Sequence, residues 1–263
     1  MLWILYLFVF IFGTIIGSFL NVVICRHGTG RSLGGRSKCA VTGKTLKWFE
    51  LIPIFSFLIQ GGRSRYSKSK ISLQYPLVEL ATGLTFAVLF CKLLPLASHC
   101  GVFVASLLFY FAIFSFLILI FVYDLRHKMI PDAFLYPLMT LAFAGALFLP
   151  VYSSPTLVSL LAGPILALPL IFIFLITRGK GMGFGDVLLV IPFGWMLGLS
   201  GGLAALLLSF WIGAIVGVTL MITGEKKMKS EIPFGPFLIL GFTLAFLYNI
   251  DMVSIALFFG SLI

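Results

Sequence analysis

Two aspartates stand at the edges of long apolar runs, where a carboxylate is unexpected. Asp124 closes the run in ILIFVYDLRHKMIPD, and Asp186 opens the run in GMGFGDVLLV. An ionisable group at the edge of a membrane-spanning segment is costly and is therefore a candidate for function. Two carboxylates that share a proton can activate water for attack on a peptide carbonyl, because close like charges resist double ionisation. The pair predicts aspartic protease chemistry, which needs no metal.

Structural roles compete with this interpretation at each acid. Asp186 suits the N-terminus of a helix, and on position alone a helix cap is the simpler interpretation. Asp132 follows Pro131 at another predicted helix start, and we interpret it as structural. Asp124 lies instead at a helix C-terminus, where the dipole disfavours an anion, which favours a functional role. Glu79 is either an acid at the membrane interface or a polar group inside the bundle, and its position does not distinguish the two.

The composition predicts an integral membrane protein. Of 263 residues, 61% are hydrophobic and only 10% are charged, and the mean hydropathy is +1.18, outside the range of ordinary soluble domains. The apolar runs are too long for barrel strands, so we expect an all-α, polytopic transmembrane helix bundle. The first run lacks the features of a cleaved signal peptide and is expected to be a retained helix. Hydropathy predicts about eight spans, at 2–24, 76–91, 102–123, 132–151, 156–177, 186–199, 203–223 and 236–262.

The basic residues predict an orientation. Of the 18 Lys and Arg residues, 17 fall in four segments on one side of the predicted spans: 25–75, 124–131, 178–185 and 224–231. Positive residues mark the cytoplasmic side, so both termini should lie outside the cytoplasm. The net charge of +10 is then mostly a topology signal, and we expect no binding of nucleic acid.

One loop, 25–75, is large enough to form a small cytoplasmic domain. It holds ten basic residues and the single acid Glu50, so we expect its surface to face anionic lipid or a substrate. Within it, WFELIPIFSFLI (48–59) is apolar but too short to span a bilayer. Such a segment is typical of an interfacial or re-entrant helix, and we favour a helix that rests on the membrane over a pore.

Six segments together resemble one known family, the type IV prepilin peptidases, which are intramembrane aspartic proteases with a G-x-G-D motif. The resemblance implies that Asp124 and Asp186 are the catalytic pair. It also implies that Gly183 and Gly185 let the backbone bend and approach closely beside Asp186. The matching segments are GSFLNVVICR (17–26), LKWFELIPIFSFL (46–58), ISLQYPLVELATG (71–83), DLRHKMIPD (124–132), GMGFGD (181–186) and IPFGPFL (232–238).

The same resemblance implies a function in the bacterial inner membrane. The family removes the short basic leader of prepilins or pseudopilins at the cytoplasmic face, and many members also methylate the new N-terminus with S-adenosylmethionine. No G-x-G-x-x-G fingerprint marks a site for that cofactor here. The implied division is a first transmembrane helix (1–24), the basic loop domain (25–75), a second helix with an outer loop (76–101) and a peptidase domain (102–263).

A transporter is the alternative from another class. Asp124 and Asp186 would then form an ion or proton relay. Because both acids cluster at one predicted face, with no acid deep in the other spans, the sequence favours the protease.

The chain departs from the family pattern in two places. The family loop commonly carries two C-x-x-C pairs that form a four-thiolate zinc site, whereas this chain has Cys39, Thr42, Ser64 and Ser67 at those positions. Neutral hydroxyls lack the charge and softness that zinc selects, so we predict no structural zinc. The second departure is Leu188, which stands where relatives often have Lys.

Two further cysteines, Cys91 and Cys100, lie near the predicted outer face. They could form a disulfide or remain as two thiols.

Overall fold

The predicted helix class is confirmed by a computed structural model, which describes residues 2–39, 41–149, 156–224 and 232–260. The described residues contain no β-strand, only two isolated bridges. Short 3-10 helices lie at Trp48–Leu51 and Leu94–Ser98. The α-helices are α1 (Leu2–Arg26), α2 (Phe55–Ile59), α3 (Gln74–Leu93), α4 (Cys100–His127), α5 (Asp132–Phe148), α6 (Leu157–Thr177), α7 (Phe184–Ile222), α8 (Gly235–Tyr248) and α9 (Met252–Gly260).

One compact unit comprises the chain up to Ser98 together with Tyr110–Leu119. Its centre is the pair α1 and α3, which approach closely through small residues. A methyl group on Gly13 would lie 2.8 Å from the Gly83 Cα, and one on Gly17 would lie 2.8 Å from the Glu79 Cα. The G-x-x-x-G spacing of α1 therefore lets the two backbones touch, as is common between helices in membranes.

The expected single apolar helix at 48–59 is wrong in its local structure. The segment forms the 3-10 helix Trp48–Leu51 and the five-residue α2, separated by a turn at Ile54. Ile54 has φ 62° and ψ −54°, a conformation that no helix interior contains.

The second compact unit comprises His99–Phe109 and the chain from Ile120 onward. In it, α7 is interrupted at Gly198, whose φ of 69° and ψ of −179° favour glycine. After this residue, α7 runs antiparallel to α8: Gly201 lies near Ile250, beyond the end of α8, whereas Gly213 packs against Phe237, near its start. The earlier arm, 184–197, stacks Phe193 on Phe242 at 4.3 Å.

The predicted count of about eight spans is not confirmed. In the described part of the chain, five helices are long and apolar enough to cross a membrane, or six if the pair α8 and α9, bent by 84°, counts as one span. The predicted sixth and seventh spans correspond to the two arms of α7, which breaks at Gly198 close to the expected boundary, and the count of five takes these two arms as one helix. The helix α5 is apolar and, with 17 residues, shorter than the five helices in that count.

Candidate active site

Asp124 is buried in the last turn of α4. Its side chain is 4% exposed, although the three residues that follow it are all exposed. The helix ends at Lys128, which adopts the left-handed conformation and donates its backbone N–H to the Asp124 carbonyl oxygen at 2.8 Å. The end of α4 thus holds a carboxylate in the protein interior, where the helix dipole gives an anion no support.

Asp186 is the third residue of α7, and its side chain is 8% exposed. The N-cap of the helix is Gly183 rather than Asp186. The Asp186 carboxylate accepts the backbone N–H of Gly183, as the third-position acid does in a capping box. The capping interpretation is therefore correct in part, because Asp186 supports the helix start without being its first cap.

The structure brings the two predicted aspartates together. Their carboxylates are close enough to interact electrostatically, and the backbone N–H of Gly235, at the start of α8, donates to the Asp124 carboxylate. Three helix ends therefore meet at this point: the C-terminus of α4 and the N-termini of α7 and α8. One carboxylate can accept a proton from water while the other donates to a carbonyl oxygen, which is what an aspartic mechanism requires.

Ile130 fills the space between the two helix starts. A methyl group on Gly185 would lie 3.1 Å from the Ile130 Cβ, and one on Gly235 would lie 3.3 Å from the Ile130 Cδ1. Neither Gly183 nor Gly185 has a positive φ. The close approach in the G-x-G-D segment is therefore made by Gly185 against Ile130, and no left-handed bend at these two glycines is involved.

The other two acids weighed in the sequence, Asp132 and Glu79, have structural surroundings of their own. Asp132 is exposed as the first residue of α5, after Pro131 at the N-cap, as expected for a structural residue. Glu79 is 7% exposed and accepts the Ile54 backbone N–H at 2.7 Å. Of the two roles left open for Glu79, the buried polar group is the one observed.

Sequence reasoning missed the parts played by Gly235 and Ile130. In the sequence, IPFGPFL contributes only a segment that matches the family, although a Gly-Pro pair is a usual signal of a helix start. Ile130, in KMIPD, carries no signal of its own, since an apolar residue before a proline is common in many loops.

The four positions of the lost zinc pattern do come together in the basic loop. Each lies in one of two turns with the same hydrogen bonds. In the first turn, Cys39 donates its N–H to the Lys44 carbonyl at 2.8 Å; in the second, Ser64 donates to the Ser69 carbonyl at 2.9 Å. The Cys39 Sγ lies 3.5 Å from the Ser64 Oγ and 3.7 Å from the Ser67 Oγ.

This cluster does not fit zinc. It offers one thiol and three hydroxyls, and the described residues contain no group of three or more His, Cys, Asp or Glu side chains that could hold a metal ion. Hydrogen bonds act on the sulfur instead. The Thr42 hydroxyl, followed by the Ser64 hydroxyl, lowers the pKa of the Cys39 thiol to about 6. No disulfide joins any of the four cysteines, all of which lie in the described residues.

Glu50 accepts hydrogen bonds from two parts of the basic loop, a role that the amino-acid sequence does not indicate. Its Oε2 accepts the Lys47 backbone N–H at 2.7 Å and the Tyr66 hydroxyl at 3.3 Å. Burial raises the pKa of Tyr66, and the charge of Glu50 raises it further. The single acid of the loop thus ties the apolar segment to the second turn.

Two family models match the chain. Residues 11–93 match the bacterial peptidase A24 N-terminal domain, and residues 111–218 match the type IV leader peptidase family. No solved structure matches.

Relatives match over nearly the whole chain. A protein of Xanthomonas campestris pv. campestris is 34% identical over 95% of this chain and 93% of its own length. A protein of Bacillus subtilis is 34% identical over 93% of this chain and 95% of its own. A protein of Pseudomonas aeruginosa is 29% identical over 90% and 88%. All three are named prepilin leader peptidase/N-methyltransferase.

The fold and the site define a class: a polytopic helical membrane protein with a buried pair of aspartates at its helix ends. Within that class, the chain belongs to the type IV leader peptidase family. The predicted family and the prediction of a protease are confirmed, and the comparisons give no support to the transporter alternative.

Proposed function

We propose that this protein removes the short basic leader of type IV prepilins or pseudopilins, with Asp124 and Asp186 as the catalytic pair. The observation that carries the proposal is the burial of both carboxylates where the ends of α4, α7 and α8 meet. It is supported by relatives named prepilin leader peptidase/N-methyltransferase that cover more than nine-tenths of the chain.

The two carboxylates share one proton in the proposed mechanism. The ionised group accepts a proton from water while the resulting hydroxide attacks the scissile carbonyl carbon, and the protonated group donates to the carbonyl oxygen. When the gem-diol intermediate collapses, the C–N bond breaks, the leaving amine takes a proton from one carboxyl group, and a gem-diol hydroxyl returns its proton to the other carboxylate, so the pair again shares one proton. The N–H groups of Gly235 and Gly183 orient the two carboxylates, and no metal takes part.

The proposed cleavage site is the cytoplasmic face of the bacterial inner membrane, with both termini of the chain on the other side. Basic residues surround both aspartates in sequence: Arg126 and Lys128 follow Asp124, and Arg178 and Lys180 precede Asp186. By the positive-inside rule these segments are cytoplasmic, which agrees with a basic leader that is held inside the cell. The substrate's apolar helix would enter from the bilayer.

We include N-methylation of the new N-terminus as a second activity, with S-adenosylmethionine as the methyl donor. This is supported by the names of relatives that match more than nine-tenths of the chain, since those names give both activities. No residue of this chain is assigned to the cofactor.

The test is cleavage by the purified protein in vesicles with candidate type IV prepilins, with the mass of each product giving its new N-terminus. Asp124→Asn and Asp186→Asn should each abolish cleavage, because an amide cannot exchange the shared proton. Asp132→Asn is the matched control and should cleave normally, since Asp132 is exposed at a helix start. Cleavage at the wild-type rate by either Asn variant of the pair would overturn the assignment. S-adenosylmethionine is added in a parallel reaction, and an unchanged product mass there would remove the second activity.

A further inference from the structure

The apolar segment 48–59 lies beside the middle of α1, far from the end of that helix. Trp48 and residues 51–55 line a common cavity of about 480 Å³ with four residues of α1: Phe10, Ile11, Thr14 and Ile15. These α1 residues precede Arg26, the last residue of the helix, by about 17–24 Å along the helix axis, at a rise of roughly 1.5 Å per residue. The hydrocarbon core of a bilayer is about 30 Å thick. With Arg26 at the headgroups, the segment reaches the depth of the membrane centre.

The deepest turn of the segment is bonded to a buried acid. Around Ile54, the Phe55 N–H donates to the Pro53 carbonyl at 2.6 Å. This is a three-residue γ-turn of the rare type with positive φ, which is strained in a β-branched residue. The Ile54 N–H donates to the Glu79 Oε2 at 2.7 Å. Irregular backbone cannot face hydrocarbon with its polar groups unpaired. The bond to Glu79 therefore supplies the Ile54 N–H with the acceptor that the turn itself does not provide.

The position of Glu79 gives a second measure of depth. The Glu79 Cα lies against Gly17 of α1. Gly17 precedes Arg26 by nine residues, so the two residues are about 14 Å apart along the helix. The contact between Glu79 and Gly17 does not involve the cavity, so it independently places Glu79, and the turn bonded to it, within the membrane.

Large apolar side chains of the segment are mostly exposed, with little cover from the described part of the chain. Trp48 is 75% exposed, Phe55 is 65%, Leu58 is 65% and Ile59 is 73%. The charged residues next to the segment are basic on both sides, with Lys44 and Lys47 before it and Arg63 and Arg65 after it. Such a segment suits a bilayer, because its apolar side chains can contact the acyl chains while the basic residues on both sides contact the anionic headgroups.

We propose that residues 48–59 form a re-entrant hairpin whose exposed face contacts lipid acyl chains, and that the Glu79 carboxylate holds its tip at that depth. The proposal goes beyond the proteolytic function and does not depend on it. Its occupant is the hydrocarbon of the bilayer, and a position at the headgroups is the outcome that would contradict it.

The first experiment measures depth directly. A genetically encoded fluorescent residue replaces Phe55, and the full chain is reconstituted in phosphatidylcholine and phosphatidylglycerol vesicles. Separate samples carry a nitroxide at the headgroup or in the middle of the acyl chain. The acyl-chain nitroxide should quench the probe at least twice as strongly as the headgroup nitroxide. A probe at Val41, which is 69% exposed in the basic loop, is the matched control and should show the reverse order. Stronger quenching of the Phe55 probe by the headgroup nitroxide would overturn the hairpin.

The second experiment tests the part played by Glu79, using the same Phe55 probe. Glu79→Gln keeps a carbonyl oxygen that can accept the Ile54 N–H and should preserve the quenching order. Glu79→Ala removes the acceptor and should shift the probe toward the headgroup quencher. Thr82→Ala is the control on the same buried face of α3, because the Thr82 hydroxyl bonds only within its own helix, to the Val78 carbonyl.

If Glu79→Ala fails to fold, a measurement on the wild-type protein still tests whether Glu79 holds the turn at Ile54. The Ile54 amide should exchange its hydrogen slowly in vesicles, as a bonded amide at membrane depth does. Fast exchange of that amide, or a Glu79→Ala protein with the wild-type quenching order, would rule out Glu79 as the holder of the tip.

Discussion

A methyl group on Gly235 would lie 2.6 Å from the Oδ2 of Asp124, because the Gly235 backbone N–H donates to that carboxylate. No side chain fits at this position without displacing either Asp124 or the start of α8. The proposed catalytic carboxylate is therefore held by a glycine that lies more than a hundred residues further along the chain.

Gly235→Ala should lower the cleavage rate by roughly 100-fold, the usual cost of misplacing a catalytic group by about 1 Å. The loss should fall on kcat more than on KM, because substrate binding is not the step affected. Gly217→Ala is the control, since a methyl group there meets no atom within 4 Å. Wild-type kcat in a folded Gly235→Ala protein would show that this contact does not position Asp124.

The two glycines of the G-x-G-D segment should differ in their tolerance of a side chain. A methyl group on Gly183 would lie at an ordinary 3.6 Å from the Asp186 Oδ2, whereas one on Gly185 would lie 3.1 Å from the Ile130 Cβ. We expect Gly183→Ala to cleave at nearly the wild-type rate and Gly185→Ala to lose about tenfold, or about 1.4 kcal/mol of transition-state stabilisation.

Ile130→Ala provides the check on that explanation. Combined with Gly185→Ala, it removes the crowding and should recover part of the lost rate, which a double-mutant cycle of cleavage rates would measure. Strictly additive losses in the double variant would contradict a contact between the two residues.

The proximity of Asp124 and Asp186 could be predicted from the sequence. Each aspartate stands at the edge of an apolar run, and both of these edges adjoin basic segments on the same predicted side of the membrane. The contacts of Gly235 and Ile130 could not. One is made by a backbone N–H and the other by an aliphatic side chain, and neither has a residue pattern that marks it. The family resemblance pointed to the right segments without saying which atoms meet.

The span count illustrates a different limit of the sequence. Hydropathy measures the length of apolar runs but not the direction of the chain. Gly198 breaks α7 with a non-helical conformation close to the boundary that hydropathy places between two predicted spans, so the pattern and the backbone agree there. The apolar run after Phe234 is predicted to form one span at 236–262, but the chain bends by 84° between α8 and α9. Both outcomes depend on backbone angles at residues that hydropathy does not weigh.

Cys39 should titrate well below an ordinary thiol. With a pKa of about 6, it should be a thiolate at pH 7 and become protonated as the pH falls through 6. The thiolate absorbance of the wild type minus that of Cys39→Ser, followed with pH, measures this midpoint. Thr42→Val should move the midpoint upward, because the Thr42 hydroxyl is the largest cause of the shift.

Ser67→Ala is the matched control for that titration, since the Ser67 hydroxyl, 3.7 Å from the Cys39 sulfur, is not among the groups that lower the pKa of this thiol. Its midpoint should stay close to that of the wild type. A wild-type midpoint in the ordinary range for thiols, above pH 8, would contradict stabilisation of the thiolate by the cluster.

The second turn of the basic loop should bind the membrane surface. Arg63, Arg65, Lys68 and Lys70 are all exposed on it, and each basic residue near an anionic surface contributes about 1 kcal/mol. Neutralising the four together should weaken the dependence of cleavage on anionic lipid, measured in vesicles of graded phosphatidylglycerol content. The cleavage position, read from product mass, should not move. A shifted cut would instead indicate direct contact between this turn and the leader.

The two turns of the basic loop should still have the geometry of a zinc site, although their side chains do not fit the metal. The wild type should carry no stoichiometric zinc, and its cleavage should survive chelators, because three of the four positions offer only hydroxyls. The variant with Thr42→Cys, Ser64→Cys and Ser67→Cys supplies four thiols at positions that already lie together. It should bind one zinc per chain and resist unfolding better with the metal than without it.

Elemental analysis of the purified proteins measures the zinc content. The matched control carries Val41→Cys in place of Thr42→Cys together with the same two serine substitutions, so it has equal cysteine content with one thiol moved to an exposed neighbour. It should bind zinc more weakly than the first variant. Equal binding by the two variants would show that the turns do not preserve a metal geometry. One zinc per wild-type chain, lost together with cleavage on chelation, would show that other residues supply the ligands.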